Sequence, residues 1–198
     1  VTFLKNTHTI KKVAQLIALL ITVLAVAVAC GGGATPSGGG LSVSSTAFKD
    51  GGTIPNKYAY DFGNVSPPLS WTAGPAGTQS YVLIMEDLDL AKDTTVGTGQ
   101  DPRHWIVFNI PANVLGLTED IPKEPQLANG ALHGKNRFLE DYYGGPRPKV
   151  GTTHRYQFTI YALDKLLDLP AGASPQQVLD AMQGHTLAQG KLIGKYSL

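Results

Sequence analysis

Histidine and aspartate side chains occur where predicted strands begin or end. Asp87 and Asp89 follow the apolar run that ends at Met85, and His104 and His154 each begin a later run. Strands that end at the same edge of a sheet would bring an acid and two imidazoles together. An imidazole beside a carboxylate is held in one tautomer and favoured in its charged form, which suits it to bind an anion or to move a proton.

The other histidines and the acidic run after the strand have simpler interpretations. His133 and His185 are expected to be structural or surface residues, since a lone histidine is more often packed than a ligand. The run from Glu86 to Asp93 resembles a calcium loop, but Ala91 and Lys92 stand where an EF-hand needs an oxygen ligand and Gly. We therefore interpret it as a solvated acidic turn, and we predict neither a metal nor a cofactor.

A second unusual stretch is rich in glycine and proline, with the sequence Tyr142-Tyr143-Gly144-Gly145-Pro146-Arg147-Pro148. Glycine permits close backbone approach, so this loop could present N–H groups to an anion. A rigid turn between strands is the alternative, and it is the preferred one. No P-loop, H-E-x-x-H or G-x-S-x-G motif is present, so no standard nucleophile is indicated.

The elements that would position these residues are mainly strands. Charged residues make up only 16% of the chain, which also has 23 Gly and 13 Pro, a composition that argues against a helical bundle. Apolar alternation predicts strands at Leu41–Phe48, Ser80–Met85, His104–Ile110 and His154–Leu163. Two long polar connections, Asp87–Arg103 and Pro122–Thr153, are expected to carry function if ordered.

One helix is predicted near the end of the chain. Ser174 is a suitable N-cap, proline follows it at the first helical position, Gln177 completes a capping box, and Gly184 ends the helix. Residues 164–169 could form a short helix or a turn. The pattern at Thr186–Tyr196 fits either a helix or a strand.

The first forty residues differ from the rest. Three lysines precede the apolar run Leu16–Ala29, the layout of a bacterial secretory signal, so residues 1–29 are predicted to be a signal peptide. The run is shorter than the about 20 residues that a spanning helix needs, which makes a retained anchor the weaker interpretation.

The cut site contains the single cysteine of the chain. Ala27-Val28-Ala29-Cys30 resembles a lipobox with Ala27 in place of the usual Leu, so Cys30 is predicted to be lipidated. The Gly-rich segment 30–40 would then be a flexible tether, and the protein an extracytoplasmic membrane lipoprotein. Cleavage that leaves a free thiol, or an uncleaved helix, are the alternatives.

The folded part is predicted to be one domain over residues 41–198. Without residues 1–29 the chain has 13 basic and 15 acidic side chains, so the formal charge changes from +1 to −2. Net charge therefore favours neither nucleic acid nor an anionic membrane surface as a partner.

Five motifs occur in an order that resembles the phosphatidylethanolamine-binding protein family, especially its bacterial and archaeal branch, often described as Raf kinase inhibitor-like. They are Ser66-Pro67-Pro68-Leu69-Ser70-Trp71, Glu86-Asp87-Leu88-Asp89, the segment from His104-Trp105 to Pro111, Tyr143-Gly144-Gly145-Pro146, and the segment from His154-Arg155-Tyr156 to Asp164. The resemblance implies a mainly β fold over residues 41–198. That fold would have a large sheet, a smaller sheet, a few peripheral helices and an anion pocket at one sheet end.

The resemblance also implies which residues line that pocket. They are Asp87, Asp89, His104, Tyr143, Gly145, Pro146, His154 and Tyr156. The sequence departs from the family pattern at Leu88 and Leu90, which replace Pro and Ala, and at Arg147 and Lys149, which replace Cys and Pro. The two added cations would increase attraction for acidic ligands.

The favoured function is a binding protein for a phosphate-like or other small anionic group on a phospholipid head group, a metabolite or a modified protein. It could also modulate a partner protein, and it is not predicted to be an enzyme. One alternative is a cell-surface interaction protein with a vestigial pocket. The other is a weak hydrolase in which His104 or His154, oriented by Asp87, acts as a general base.

Overall fold

The computed structural model describes residues 40–90 and 100–198. The predicted signal peptide and Cys30 lie outside these ranges. Within them, no helix is long and apolar enough to cross a membrane.

The described chain forms eight strands and one α-helix, with a short 3₁₀ turn at Asn56–Tyr58. The strands are β1 (Val43–Ser44), β2 (Leu69–Trp71), β3 (Ser80–Asp87), β4 (Arg103–Pro111), β5 (Gly116–Leu117), β6 (Leu132–His133), β7 (Thr153–Leu163) and β8 (Thr186–Ser197), and the helix is α1 (Pro175–Met182). They build an antiparallel five-stranded sheet in the order β6-β4-β3-β7-β8 and a three-stranded sheet in the order β1-β2-β5. The predicted mainly β fold with a large and a smaller sheet is confirmed.

Both faces of the large sheet are covered. One face packs on the small sheet, and this core includes Leu69, Trp71, Leu83, Met85, Phe158 and Ile160. The opposite face packs on α1 through Val82, Ile84, Ile106, Phe108, Val178 and Met182. Because successive side chains of a strand point to opposite faces, β3 contributes Leu83 to one core and Ile84 to the other.

The predicted strand Leu41–Phe48 is wrong in extent, since only Val43–Ser44 forms a strand there. Its end has a local cause at the next residue. The Ser45 hydroxyl accepts a hydrogen bond from the Ala47 amide at 3.1 Å and donates one to the Pro68 carbonyl at 2.6 Å. A serine hydroxyl that bonds the amide two residues on turns the backbone out of the strand.

The helix follows the predicted capping pattern. The Ser174 hydroxyl accepts from the Gln177 amide, and the Gln177 side chain accepts from the Ser174 amide, so the capping box is complete. Gly184 follows with φ of +77°, a conformation that glycine adopts without strain. The segment Thr186–Tyr196, whose pattern fits either a helix or a strand, is a strand. Residues 164–169 bend without forming a helix.

The outer edge of β8 is covered by the segment 41–54. The Leu41 amide donates to the Gln189 carbonyl at 3.0 Å, and the Ile54 amide donates to the Lys195 carbonyl at 2.8 Å. The Lys195 amide returns a bond to Gly52 at 2.8 Å. This segment therefore satisfies backbone groups that an edge strand would otherwise leave open.

Candidate functional site

The acid and one histidine predicted for the site meet at the end of the large sheet. Asp87 is the last residue of β3 and pairs with Tyr156 on β7, while His154 lies two residues away on the same face of β7. The buried His154 Nδ1 is 2.8 Å from Asp87 Oδ2. Asp87 Oδ1 accepts the backbone amides of Asp89 and Leu90 at 2.9 and 3.0 Å. The carboxylate is thus fixed on both oxygens.

A β-bulge brings the second histidine to the same place. Met85 pairs with Trp105 and Glu86 with Arg103, so His104 is an extra residue on β4 with no partner on β3. Bulges commonly redirect a side chain beside a functional site. The His104 ring lies edge-on to Tyr156, with the ring centroids 5.2 Å apart. The prediction that an acid and two imidazoles meet at one sheet end is confirmed.

The hydrogen bonds of His104 define its tautomer. Nδ1 lies 3.1 Å from the Gly144 carbonyl and 2.9 Å from the Gly145 carbonyl, and because carbonyls only accept, Nδ1 carries the proton. Arg137 Nη1 donates to Nε2 at 3.3 Å. Burial, and then the Arg137 charge, lower the pKa of His104 to about 4. The expectation of a charged imidazole is therefore wrong for His104, which is a neutral acceptor toward Arg137.

Tyr156 forms the buried floor between the two histidines. Its ring stacks near His154 at 6.5 Å, and its hydroxyl accepts the Arg147 amide at 3.2 Å. Burial and the negative charge of Asp87 raise the pKa of Tyr156. The phenol therefore keeps its proton across the physiological range.

The long connection after β6 is docked on the open edge of β4. The amides of Gly134, Arg137 and Gly144 donate to the carbonyls of Ile106, Arg103 and His104 at 3.1, 2.8 and 3.0 Å. The buried Asn136 accepts the amides of Phe138 and Glu140, which holds the turn of this loop. Register along β4 thus sets the position of the whole segment relative to His104.

The Gly-Gly-Pro turn closes the site from behind, but not as an anion-binding nest. The Gly145 amide donates to Asn64 Oδ1 at 2.8 Å, and the Gly144 amide is used by β4. A Cβ at Gly145 would overlap the carbonyl oxygen of Tyr58. The nest interpretation is therefore wrong. The carbonyls of the turn accept from His104, and its two glycine amides donate to other groups of the protein.

Three of the residues considered for the site have other partners. Asp89 binds the Arg155 guanidinium through two bonds of 2.8 and 2.9 Å. The Tyr143 hydroxyl donates to the Tyr58 carbonyl at 2.8 Å. Arg147 lies 3.0 Å from a carboxylate oxygen of Asp61. Contact of Asp89 or Tyr143 with a ligand stays a prediction.

The other residues that the sequence singled out make no side-chain hydrogen bond with the Asp87–His154 pair in the described part of the chain. Pro146 is buried and accepts the Tyr60 amide at 3.0 Å, and Lys149 is exposed. His133 is buried and donates from Nδ1 to the Glu124 carbonyl at 2.7 Å. His185 pairs with Asp164 at 2.8 Å on the surface. Structural and surface duty for these two histidines agrees with their positions.

Arg137 was not found by sequence reasoning. It is half-buried beside His104, and its guanidinium lies over the Phe138 ring at 5.4 Å from the centroid. The only signal in the sequence is its position inside the long connection 122–153, which was expected to carry function. Nothing in its spacing indicates which of the residues in that connection faces the histidines.

The described side chains form a small polar site. Across residues 40–90 and 100–198, no group of three or more histidine, cysteine or carboxylate side chains could hold a metal ion. The site offers His154 Nε2, the Arg137 guanidinium and the edges of buried aromatic rings. These groups suit a small ligand with anionic oxygens.

The fold is a two-sheet β domain with a cluster of aspartate, histidine and tyrosine at one end of the large sheet. Residues 44–197 match the sequence profile of the family described as phosphatidylethanolamine-binding protein, and the chain belongs to that family. The resemblance carried by the five motifs is therefore confirmed.

Bacterial and archaeal relatives are similar in sequence to most of the chain. A UPF0098 protein of Methanothermobacter thermautotrophicus is 42% identical over 156 residues, which cover 79% of this chain and 98% of that protein. The UPF0098 protein YbhB of Escherichia coli K12 is 32% identical over 164 residues, covering 79% and 100%.

Solved structures show the same fold. A putative phosphatidylethanolamine-binding protein homologue of Chlamydia trachomatis is 36% identical with a TM-score of 0.69, covering 80% of this chain and 98% of that one. Escherichia coli YbcL, described as a member of the mammalian family, is 28% identical with a TM-score of 0.71 and the same two coverages.

Proposed function

We propose that this protein binds a small anionic group, phosphate-like in its chemistry, at the pocket formed by Asp87, His104, His154 and Tyr156. The observation that carries the proposal is the His154–Asp87 pair. His154 Nδ1 lies 2.8 Å from the Asp87 carboxylate, while His154 Nε2 makes no hydrogen bond to any residue of the described ranges. A histidine oriented in this way can present Nε2 to a ligand oxygen.

We further propose binding, and not catalysis, as the task of the pocket. Both ring nitrogens of His104 are occupied, Nδ1 by two carbonyls and Nε2 by Arg137, so this ring is not available as a base. In the described part of the chain, no serine, threonine or cysteine is hydrogen-bonded to His154. A nucleophile activated by an adjacent base therefore has no support.

The proposed setting is the extracytoplasmic side of a membrane, with the domain held by a lipid on Cys30. This proposal rests on the sequence of the first forty residues alone. The ligand could then be a phospholipid head group or a soluble metabolite. A modified partner protein carrying a phosphate would present the same chemistry.

The test is a titration of the protein with inorganic phosphate and with phosphorylethanolamine, followed by NMR of the histidine rings. We expect the His154 ring signals to shift, and His154→Ala to weaken binding by about tenfold or more, the value of one hydrogen bond to a charged group.

His185→Ala is the matched control, because His185 makes a histidine–aspartate contact of the same 2.8 Å length outside the pocket. This variant should bind like the parent. Unchanged affinity in His154→Ala, or no shift at millimolar ligand, would contradict the proposal. Turnover of a phosphoester that is lost in His154→Ala would favour a hydrolase instead.

A further inference from the structure

The four arginines of the chain differ in their partners. Arg103 lies 3.2 Å from Asp101 and 3.4 Å from Glu86, Arg147 lies 3.0 Å from Asp61, and Arg155 lies 2.8 Å from Asp89. Arg137 has no carboxylate within 4 Å in the part of the chain that the structure describes. It is the one arginine there whose charge is not matched by an ion pair.

The surroundings of Arg137 disfavour its charged form. The side chain is half-buried, and burial is the main cause that lowers its pKa. The carboxylates of Asp87 and Asp101 act on it from a distance and raise its pKa, whereas Arg147 lowers it. A partly buried charge is stable only when it is paired or hydrogen-bonded.

The position of the guanidinium is fixed by three contacts. Nη1 donates to His104 Nε2 at 3.3 Å, Nη2 donates to Gln100 Oε1, and the plane lies over the Phe138 ring. His104 can accept this bond because its Nδ1 proton is directed at the Gly144 and Gly145 carbonyls. The neutral histidine therefore serves as an orienting group for the arginine.

We propose that Arg137 is the charge partner of the ligand and a specificity-determining residue of the pocket. Its guanidinium would donate hydrogen bonds to two oxygens of a phosphate group. This inference rests on the proposed function and names the residue that selects for the anion. Two of the five N–H groups of the guanidinium are used in the described contacts, so the others can pair with two oxygens. An arginine fork matches phosphate geometry in a way that a lysine ammonium does not.

The experiment measures the affinity of the protein and its variants for inorganic phosphate and phosphorylethanolamine by calorimetry. Arg137→Gln should weaken phosphate binding by about 10- to 100-fold, the range expected for a charge-assisted hydrogen bond. Arg137→Lys, which keeps the charge and loses the fork, should recover only part of that loss. Arg147→Gln is the matched control, since it removes the same charged group from an arginine that is paired with Asp61.

The outcomes separate this inference from the proposed function. If the parent protein binds phosphate and His154→Ala weakens it while Arg137→Gln does not, the role of Arg137 is wrong and the pocket stands. If the parent protein does not bind phosphate, both fail. If a variant does not fold, NMR of the parent protein replaces it. Phosphate should then shift the Arg137 Nε–H signal. An unchanged signal at saturating phosphate would overturn the inference.

The two ligands separate the sources of the phosphate. Equal affinity for inorganic phosphate and phosphorylethanolamine indicates recognition of the phosphate alone. Tighter binding of phosphorylethanolamine, with the same loss in Arg137→Gln, indicates a head group as the source. Both results support the role of Arg137, whereas a loss in Arg137→Gln that affects phosphorylethanolamine but not inorganic phosphate would contradict it.

Discussion

His104 and His154 lie beside the same aspartate, but their surroundings differ. His104 is fully enclosed and faces the positive charge of Arg137, which together lower its pKa to about 4. His154 is directly bonded to the Asp87 carboxylate. The two imidazoles therefore differ in role: His104 accepts a hydrogen bond from Arg137, and His154 is the ring that we propose to face the ligand.

The low pKa of His104 predicts an effect on stability at acid pH. In the unfolded chain this residue takes up a proton as the pH falls below about 6.5, while in the folded protein it does not until about pH 4. The free energy of unfolding should therefore fall between these pH values, by up to about 3 kcal/mol from this residue. Urea denaturation at pH 7, 5.5 and 4.5 measures the change.

The variant His104→Gln isolates this contribution. Without the titrating ring, the loss of stability between pH 7 and pH 4.5 should be smaller than in the parent. The buried His133, whose pKa is also lowered by burial, is present in both proteins and cancels in the comparison. An identical pH dependence in the two proteins would show that the pKa of His104 is not lowered in the folded protein.

At the scale of single residues, the sequence predicted those parts of the site that lie on long strands. Asp87, His104 and His154 were placed correctly because strand alternation and strand ends determine where they meet. Arg137 could not be predicted, because its position depends on a loop whose amides dock on the edge of β4. The lowered pKa of His104 was missed because its main cause, burial, and its second cause, the charge of Arg137, both depend on tertiary packing.

Among the elements, length decided what the sequence could reveal. β3, β4 and β7 each extend over eight or more residues, so their apolar alternation could be recognised in the sequence. The capping box at Ser174 indicated the start of α1. β2, β5 and β6 contain only two or three residues and were not predicted. Such short strands form because tertiary pairing holds them, a cause that is not visible in local sequence.

The helix offers a test of element stability that leaves the pocket unchanged. Ser174→Ala removes the side-chain acceptor for the Gln177 amide, so the free energy of unfolding should fall by about 1 kcal/mol. Because α1 packs on the face of the sheet opposite the site, phosphate affinity should stay the same. Chemical denaturation and calorimetry on the same sample measure both quantities.

An exposed serine outside the helix provides the comparison. Ser42→Ala changes the same chemical group on a surface segment, and it should alter stability by less than about 0.5 kcal/mol. If Ser174→Ala were equally neutral, the capping box would contribute little to the helix.

For the molecule as a whole, attraction for an anion has to arise locally. The predicted mature chain carries a formal charge of −2, so its overall field does not favour anionic ligands. Three of the four arginines are matched by carboxylates within the described domain. The proposed attraction for a phosphate would then come from Arg137, the one arginine without a carboxylate partner among the described residues, and from His154.

The predicted attachment to a membrane is tested at Cys30. Cys30→Ser should move the protein from the detergent phase to the aqueous phase in a phase-separation assay, because the thiol that would carry the lipid is gone. Ser37→Ala, in the same Gly-rich segment, should leave the partitioning unchanged. A Cys30→Ser protein that still enters detergent is not held by a lipid on that thiol.

We expect the segment 41–54 also to protect the molecule against self-association. β8 is a twelve-residue strand at the border of the five-stranded sheet, and this segment bonds its backbone at Gln189, Ile193 and Lys195. A proteolytic nick near residue 55 would release that cover and expose a long border onto which a strand of another molecule could add. Keeping the start of the domain intact is thus a condition for preventing edge-to-edge aggregation, independently of any ligand.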